Sequence, residues 1–484
     1  MSASSDAFVE PASNGASSFR YFPELISDSD RRVLFNVCLY VVCFWLVLEI
    51  GFFVVVYYHL LPGLQKLTKP QPFYADTVQF MKRILDSVDE IKSYSFEKYM
   101  SGFFMGAKFE DIYQGNILSF LAWAMVGKKL EHVNEKDLEM IMAVSEYSAQ
   151  RHPIVAKIPP GYNPDVKHCA MTLEPIPIIH RPLITYVAVN LMEALFNTIF
   201  LRACGFQNLE IDGMTYWYKN QNIHPSSRPA SNTTCSTGQE PMVFLHGIST
   251  GWMLYLQIAK ALSHNRTLIL VDLDAIKIKS MTFQMPTPMQ FVDRFCRLLD
   301  RHHVDRVSVV GHSFGSITAG WLATHCAHRV SHLTLLDPVS MLLAFPEVSY
   351  SFLYRQPAKL TEWIIYLMAS RELTISHTLH RHFWWYNNNL WLEDVPAHIG
   401  VVVGLASGDE IINPQAVQEY VANCQAKRYA KRSADQEVAP IECLMWEGYS
   451  HGQILAPTAH QAHLVAAVKA NEMAGTGAPK SKII

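Results

Sequence analysis

One serine of this sequence stands between two glycines in a pattern that is typical of a catalytic nucleophile. Gly311-His312-Ser313-Phe314-Gly315 follows a β-branched run at 307–310. Such spacing suits a nucleophile, because a tight strand-to-helix turn exposes the serine oxygen and tolerates only small residues two positions before and after it. Residues 247–251 match the same spacing, with Ser249 at the centre. Ser313 lies two predicted strands further along, with a predicted helix after it, so we predict Ser313 as the nucleophile.

A serine hydroxyl needs a base, and the base needs a carboxylate that orients it. Among the 21 histidines, His451 alone combines flanking glycines with a position directly after the last predicted strand. We therefore predict His451 as the base. Two aspartates follow predicted strands: Asp409 in Ser-Gly-Asp-Glu, and Asp337 one strand earlier. We predict Asp409 as the acid, and Asp337 remains the alternative acid.

Short β-branched runs, separated by helix-like segments, surround these residues. After a predicted hairpin at 209–218, the runs are 242–245, 267–271, 307–310, 333–336, 401–403 and 441–445. This alternation is typical of an α/β fold, a mostly parallel sheet with helices on both faces. Active sites of such folds lie beyond the carboxyl ends of the strands. The predicted nucleophile, acid and base all stand at such ends.

Two apolar runs precede this α/β region. After a polar, disordered tail at 1–30, we predict a transmembrane anchor helix at 31–63, since about 20 apolar residues cross a bilayer. Residues 64–206 are predicted to be a helical region, partly membrane-associated. Within it, 182–201 is apolar but carries one polar stripe, so we expect a buried or interfacial helix there and a single span in total. A second span is the alternative.

The overall composition restricts the class of partner. The 484 residues are 50% hydrophobic and 17% charged, with a net charge of −3. That balance excludes a nucleic-acid partner, which needs clustered positive charge, and nothing in it indicates an obligate protein partner. The charges around the anchor favour an N-terminus in the cytosol and the enzyme in a lumen. The N-terminal tail lacks the Arg-rich, acid-poor character of a mitochondrial transit peptide, so we expect an endomembrane such as the endoplasmic reticulum. Asn232 and Asn265 stand in glycosylation sequons.

The motifs at 311–315, 246–247, 407–409 and 448–452, in the chain order Ser, Asp, His, resemble the α/β-hydrolase superfamily. The match covers roughly 207–470, and residues 471–484 are predicted to be a flexible tail. The whole chain is similar to poorly characterised eukaryotic membrane-anchored α/β hydrolases. The resemblance implies a cofactor-free mechanism, with an oxyanion hole formed by the N–H groups of Phe314 and Ile248. The His-Gly-Gly run of lipases is absent, because Ile248 follows Gly247.

The resemblance also implies an inserted helical cap, at about 338–398, and this interval is rich in aromatic residues. An aromatic cap is well suited to bind an acyl chain, because pockets gain affinity mainly by burying apolar surface. We expect the substrate pocket to include His246, Gly247, His312, Trp384 and Trp385. Three histidines in the cap offer a less favoured metal site, because no carboxylate stands at ligand spacing; they are His377, His380 and His382. We predict no metal.

The predicted function is that of a serine esterase of the lipase type, which cleaves carboxylic esters of lipid-like or apolar acyl substrates through an acyl-enzyme. An acyltransferase or a thioesterase could use the same three residues. A non-catalytic, membrane-bound interaction protein is the third and least favoured alternative.

Overall fold

The computed structural model describes residues 28–220, 240–263, 266–278, 281–431, 438–456 and 459–475. The chain divides into two compact units, one up to Leu60 and one from Leu61 onward. Most of the predicted polar tail and both sequons, Asn232 and Asn265, lie outside the described residues. So do residues 476–484 of the predicted C-terminal tail, whereas 471–475 are helical.

An apolar helix makes up the described part of the first unit. Helix α1 is Asp28–Val54, and it continues as a π-helical segment, Val55–Leu60. The stretch Ser29–Leu64 is 36 residues long with a mean hydropathy of 2.5, which is long and apolar enough to cross a membrane. Near the N-terminus, such a helix fits either a membrane anchor or a signal sequence.

Helices dominate the first part of the second unit. They are α2 (Leu61–Leu64), α3 (Thr77–Glu90), α4 (Phe96–Phe103), α5 (Gln114–Val126), α6 (Glu135–Arg151) and α7 (Leu183–Phe196). Side-chain caps set several of the starts, because the first N–H groups of a helix need acceptors. The Asp76 side chain accepts the N–H of Gln79 before α3, and the Asn134 side chain accepts the N–H of Asp137 before α6.

Helix α7 continues as a π-helical segment, Asn197–Leu201. The stretch Leu183–Leu201 has a mean hydropathy of 1.5 and is also long enough to cross a membrane, although 17% of it is buried against the protein. The residues of the predicted polar stripe differ in how deeply they are buried. Glu193 is buried, Asn197 and Thr185 are half-buried, and Asn190 is exposed.

Eight strands form a single sheet in the remainder of the second unit. They are β1 (Gln207–Ile211), β2 (Met214–Lys219), β3 (Met242–Leu245), β4 (Leu268–Val271), β5 (Val307–His312), β6 (Val330–Leu336), β7 (Gly400–Ala406) and β8 (Ile441–Trp446). The order is β1-β2-β4-β3-β5-β6-β7-β8. Strand β2 pairs antiparallel with β1 and β4, and the other neighbours are parallel. The predicted mostly parallel sheet is confirmed.

Helices cover both faces of this sheet. They are α8 (Leu256–Leu262), α9 (Pro288–Arg301), α10 (Gly315–His325), α11 (Pro346–Ser349), α12 (Leu360–Ile365), α13 (Leu373–Arg381), α14 (Pro414–Ala430) and α15 (Ala459–Gly475). Helices α11, α12 and α13 lie between β6 and β7, in the interval predicted for the cap. One hydrophobic core joins α3–α6 to a face of the sheet, and a second core lies under α8 and α15.

Candidate active site

The backbone at Ser313 forms a left-handed turn between β5 and α10, with a φ of 51°. Two glycines make this turn possible. A Cβ on Gly311 would lie 2.6 Å from the carbonyl oxygen of Gly315, and a Cβ on Gly315 would collide with the backbone of Leu245. The turn therefore needs glycine at both positions, which is the physical content of the motif.

Three predicted residues form one hydrogen-bonded line. Nε2 of His451 lies 2.9 Å from Oγ of Ser313, and Nδ1 of His451 lies 2.6 Å from Oδ2 of Asp409. The other oxygen of Asp409 accepts the N–H groups of Ile411 and Ile412, at 2.7 and 3.0 Å, which fixes the carboxylate. In this arrangement the imidazole can take the serine proton while the carboxylate orients the ring.

Asp337, the alternative acid, is fully buried next to this line. Its carboxylate oxygens accept the N–H groups of Ala406 and Gly452, at 2.9 and 2.8 Å. Asp337 thus connects the end of β7 to the loop that carries His451, and the hydrogen bond from Nδ1 of His451 goes to Asp409 instead.

Negative charge surrounds the imidazole of His451. Burial lowers the pKa of His451, but Asp409, and less strongly Asp337 and Glu410, raise it to about 9. Burial raises the pKa of Asp337 to about 6, against the effect of the neighbouring imidazole. Glu410, which the sequence did not single out, also accepts the backbone N–H of His451 at 3.1 Å. The site favours the imidazolium that forms when the base takes a proton.

The two predicted oxyanion donors lie beside the serine. Ile248 and Phe314 line the same cavity as Ser313. Within the part of the chain that the structure describes, the backbone N–H of neither residue has a protein acceptor. A Cβ on Gly247 would lie only 2.8 Å from the Cβ of Ser313, so the loop after β3 approaches the serine closely. Both N–H groups are available to a substrate oxygen.

The cavity at Ser313 has a volume of about 50 Å³ and an apolar wall. The cap supplies most of the wall. The apolar lining residues are Met171, Ile248, Phe314, Ile317, Val339, Val348, Phe352, Leu353, Leu379, Phe383 and Ile411. Ser313 and Ser349 are the two lining residues with a hydroxyl.

Three residues predicted for the pocket lie behind its wall instead: His246, Gly247 and His312. Nε2 of His246 accepts the N–H of Leu273 at 3.0 Å, so the imidazole ties the loop after β3 to the loop after β4. The hydroxyl of Tyr255 accepts the N–H of Gly247 at 3.0 Å and lies 3.2 Å from Nδ1 of His312. These side chains support the loop that presents Ile248, and nothing in the sequence pattern marked Tyr255.

The two tryptophans predicted for the pocket are also displaced from its wall. Phe383 faces the cavity, with its ring 6.0 Å from that of Phe314. The next two side chains, Trp384 and Trp385, stand at the start of the 3₁₀ turn Trp385–Asn387 and point elsewhere. Trp385 packs against Phe80 of α3 at 5.9 Å, and Trp384 lies beside Gly127 at the end of α5. The aromatic run therefore fastens the cap to the helical region.

One group of three side chains lies close enough together to share an ion within the described ranges: Asp337, Asp409 and His451. Their ligating atoms already hydrogen-bond to each other, to Ser313 or to the backbone, which suits acid–base chemistry. His377, His380 and His382 do not form such a group. The oxygen of Ser249, the alternative nucleophile, accepts the N–H of Gly251 at 3.2 Å within its own loop.

Comparison with known proteins agrees with this architecture. Residues 240–398 match the profile of a family described as alpha/beta hydrolase fold. No curated protein matches the sequence. Similar solved structures include a bacterial membrane phospholipase A, described as a virulence factor, at 13% identity and a TM-score of 0.39. That match covers 61% of this chain and 98% of the phospholipase chain.

Two esterases from Bacillus subtilis are also similar. Naproxen esterase (carboxylesterase NP) is 13% identical with a TM-score of 0.38, and the match covers 61% of this chain and 99% of the esterase. Carboxylesterase CesB is 11% identical with a TM-score of 0.38, and the match covers 59% of this chain and 99% of the esterase. The profile match at 240–398 and the eight-stranded, mostly parallel sheet establish that the chain has the α/β-hydrolase fold.

Proposed function

We propose that this protein is a membrane-anchored serine hydrolase that cleaves carboxylic esters of apolar acyl groups. One observation carries the proposal: the imidazole of His451 lies within hydrogen-bonding distance of both the Ser313 hydroxyl and the Asp409 carboxylate. Ser313 and His451 stand 138 residues apart in the sequence, so the fold alone brings them together. We assign Ser313 as nucleophile, His451 as base and Asp409 as orienting acid.

In the first half-reaction, Oγ of Ser313 attacks the ester carbonyl carbon while Nε2 of His451 takes the hydroxyl proton. The carbonyl electron pair moves to the oxygen, which the N–H groups of Phe314 and Ile248 receive. When the tetrahedral intermediate collapses, the bond to the alcohol oxygen breaks and His451 returns its proton to that oxygen. The acyl group remains on Ser313.

In the second half-reaction, water replaces the alcohol. His451 takes a proton from the water as its oxygen attacks the acyl carbon, and the same two N–H groups stabilise the second tetrahedral intermediate. Collapse breaks the bond to Oγ, and the proton on Nε2 returns to Ser313. The products are a carboxylic acid and an alcohol, and no cofactor enters either step.

The wall of the Ser313 cavity supports an apolar acyl group. Among the described lining residues, Ser349 is the only one with a hydroxyl apart from the nucleophile, and none is charged. Binding there gains free energy mainly from apolar area removed from water, about 25 cal/mol per Å². Phe352 and Phe383 come from the cap, so the cap contributes directly to the surface that meets the acyl group.

Helix α7 supports membrane association of the second unit. Its polar side chains bind the protein: the Tyr186 hydroxyl donates to Glu372 at 3.0 Å, and Glu193 pairs with Lys277 at 3.5 Å. Apolar side chains of α7 and of its π-helical continuation point outward: Leu191 is 58% and Ile199 is 54% exposed. This is the reverse of a helix on a water-facing surface, and a bilayer is the environment that accommodates it.

The cap extends this apolar surface. Leu360 and Ile364 on α12 are 76% and 53% exposed. The backbone N–H of Ile179, shortly before α7, donates to the carbonyl of Arg371 at 3.0 Å, next to the Glu372 that accepts from Tyr186. Helix α7 and the cap therefore meet, and an acyl chain in the bilayer would approach Ser313 past the same cap.

A fluorophosphonate probe tests the assignment. The probe forms a bond between its phosphorus and an activated serine oxygen, so it reports the nucleophile without knowledge of the natural ester. We expect strong labelling of the full-length protein in membranes and none of Ser313→Ala. Ser249→Ala is the matched control, because Ser249 lies in the same motif spacing, and it should label as the wild type does. Equal labelling of Ser313→Ala and the wild type would refute the proposal.

Product analysis then separates hydrolysis from acyl transfer, since both use the same acyl-enzyme. A long-chain ester is supplied in vesicles, with and without a second alcohol. Free carboxylic acid as the main product in both cases supports the hydrolase. A new ester that dominates when the alcohol is present would assign an acyltransferase, and faster turnover of the matching thioester would assign a thioesterase.

A further inference from the structure

A second cavity lies in the helical region, away from Ser313. It is enclosed by α3, α4, α5 and α6 and by the 3₁₀ turn Pro153–Lys157. Its volume is about 290 Å³, compared with about 50 Å³ for the cavity at Ser313. None of its lining residues belongs to the sheet or the cap. This volume lies just below the range that is usual for ligand sites, roughly 300–1,000 Å³.

The interior of this helical-region cavity is apolar. Buried side chains such as Ile84, Leu121 and Phe96 form its floor. Met81 and Met100 add flexible thioether side chains, which adapt to an irregular occupant. Water binds poorly in such a space, because it finds few hydrogen-bonding partners. An empty space is also unfavourable, because the wall then lacks dispersion contacts.

The polar groups of the described lining residues are uncharged and, apart from the buried hydroxyl of Tyr99, lie toward the mouth of the cavity. Gln114 and Met142 are exposed, and Ser145 and Ser148 are half-buried on the adjacent face of α6. No Lys, Arg, Asp or Glu is among the lining residues. The site therefore offers hydroxyl and amide groups to a neutral polar head, and hydrocarbon surface to what lies behind that head.

We propose that the helical-region cavity binds one aliphatic chain of a lipid with an uncharged, hydroxyl-bearing head. The chain occupies the apolar interior, and the head lies at the mouth beside Ser145, Ser148 and Gln114. The site is separate from the chemistry at Ser313, and the proposal does not depend on that chemistry. A membrane-associated protein is surrounded by ligands of this class.

Helix α4 connects this cavity to the cap. Tyr99 and Met100 line the cavity, and the Tyr99 hydroxyl donates to the carbonyl of Ala344 at 3.1 Å. The Tyr99 ring also packs edge-on against Phe345 at 5.4 Å. Phe345 directly precedes α11, whose last residue, Ser349, lines the Ser313 cavity. A lipid chain beside Tyr99 would therefore contact a side chain that also supports the cap.

A photoreactive ether lipid tests the site. The probe is a 1-O-alkylglycerol with a diazirine in its alkyl chain, and an ether bond resists an esterase, so labelling is independent of Ser313. Full-length protein in lipid nanodiscs is irradiated with the probe, digested and mapped by mass spectrometry. We expect adducts in 114–121 and 142–149. The absence of adducts from both segments would overturn the proposal.

Two matched pairs of variants locate the chain. Ser145→Phe places a ring inside the cavity, whereas Glu146→Phe places the same ring on the exposed neighbour. We expect Ser145→Phe to reduce the adducts about tenfold, because overpacking excludes the occupant, and Glu146→Phe to leave them unchanged. Ala149→Trp at the mouth and its exposed neighbour Gln150→Trp form a second pair, in case Ser145→Phe fails to fold. The thermal unfolding temperature of each variant checks folding independently of the chemistry at Ser313.

Competition tests the nature of the head group. Unlabelled 1-O-alkylglycerol should suppress the adducts in 114–121 and 142–149, and the anion of a fatty acid with the same chain length should compete several-fold less well. Equal competition by the anion would overturn the assignment of an uncharged head. Adducts that persist at wild-type levels in both Ser145→Phe and Ala149→Trp would overturn the site itself.

Discussion

The carboxylate of Asp337 accepts the N–H of Gly452 at 2.8 Å, directly beside the imidazole of His451. Its other oxygen accepts the N–H of Ala406, at the end of β7. Asp337 therefore fixes the loop of the base relative to the sheet through two backbone hydrogen bonds. Its negative charge also lies near the ring without competing for Nδ1. Two carboxylates thus hold one imidazole, one through the ring and one through the backbone.

Asp337→Asn tests this division of roles. Asparagine offers one oxygen where the carboxylate offered two, so either Gly452 or Ala406 loses its acceptor. A buried, unsatisfied group of this kind costs about 1–3 kcal/mol, and we expect urea unfolding to report a loss of that size. The turnover number should fall about tenfold, since the base loses its exact placement but keeps its orienting carboxylate. Unchanged stability would contradict the role.

Asp409→Asn should affect catalysis far more than stability. The amide can present an N–H to Nδ1 and select the wrong tautomer of His451, so we expect a fall in the turnover number of about 10⁴-fold. Glu410→Gln is the control, because glutamine keeps an oxygen for the backbone N–H of His451. It should cost less than about tenfold. Steady-state kinetics on a soluble ester measures both, and equal losses would argue against Asp409 as the orienting acid.

Motifs set by backbone geometry could be predicted from the sequence. The fold class and the order of elements followed from alternating runs, and the turn at Ser313 followed from two glycines that no other residue can replace there. The positions of Asp409 and His451 followed from one rule, that chemistry gathers after strands. Each of these inferences depends on local spacing or on strand ends, and both are visible in a linear sequence.

Side-chain direction could not be predicted in the same way. Phe383 faces the Ser313 cavity, whereas Trp384 and Trp385, at the start of the 3₁₀ turn Trp385–Asn387, pack against the helical region. The sequence analysis predicted Trp384 and Trp385 for the pocket and did not single out Phe383. Likewise, His246 looks like a pocket residue by position, but its ring binds the N–H of Leu273 across two loops. Such long-range contacts have no signature in local spacing.

The pH dependence of the reaction should reflect the charge around His451. The base acts in its neutral form, and Asp409, Asp337 and Glu410 raise the pKa of His451 to about 9 against the effect of burial. A raised pKa keeps the imidazole protonated to higher pH. We therefore expect kcat/KM to rise with pH along a limb whose apparent pKa lies well above 6.5, the ordinary pKa of histidine. In Asp337→Asn the limb should move to lower pH, and a limb at or below 6.5 in the wild type would contradict this account.

Two glycines of α10 give a direct test of the turn at Ser313. In Gly315→Ala the new methyl group would collide with the carbonyl oxygen of Leu245, a backbone atom of the buried strand β3. We expect a loss of fluorophosphonate labelling together with destabilisation of several kcal/mol. In Gly320→Ala the methyl group meets only Leu390, at 3.4 Å. Alanine also favours a helix over glycine by about 1 kcal/mol, so this control should label normally and melt no lower than the wild type.

The outward face of α7 provides the last test. Leu191 and Ile199 are more than half exposed on a helix whose buried side holds Glu193. A lysine near the bilayer centre costs up to about 2.5–3.5 kcal/mol and less at the interface, so Leu191→Lys with Ile199→Lys should reduce hydrolysis of a long-chain ester in vesicles about tenfold. Hydrolysis of a soluble short-chain ester should not change, because α7 lies outside the Ser313 cavity. Leu138→Lys with Met289→Lys adds the same charge at exposed apolar positions on other helices and should leave both rates unaltered. Equal rates on vesicles for the two double variants would show that α7 does not meet the membrane.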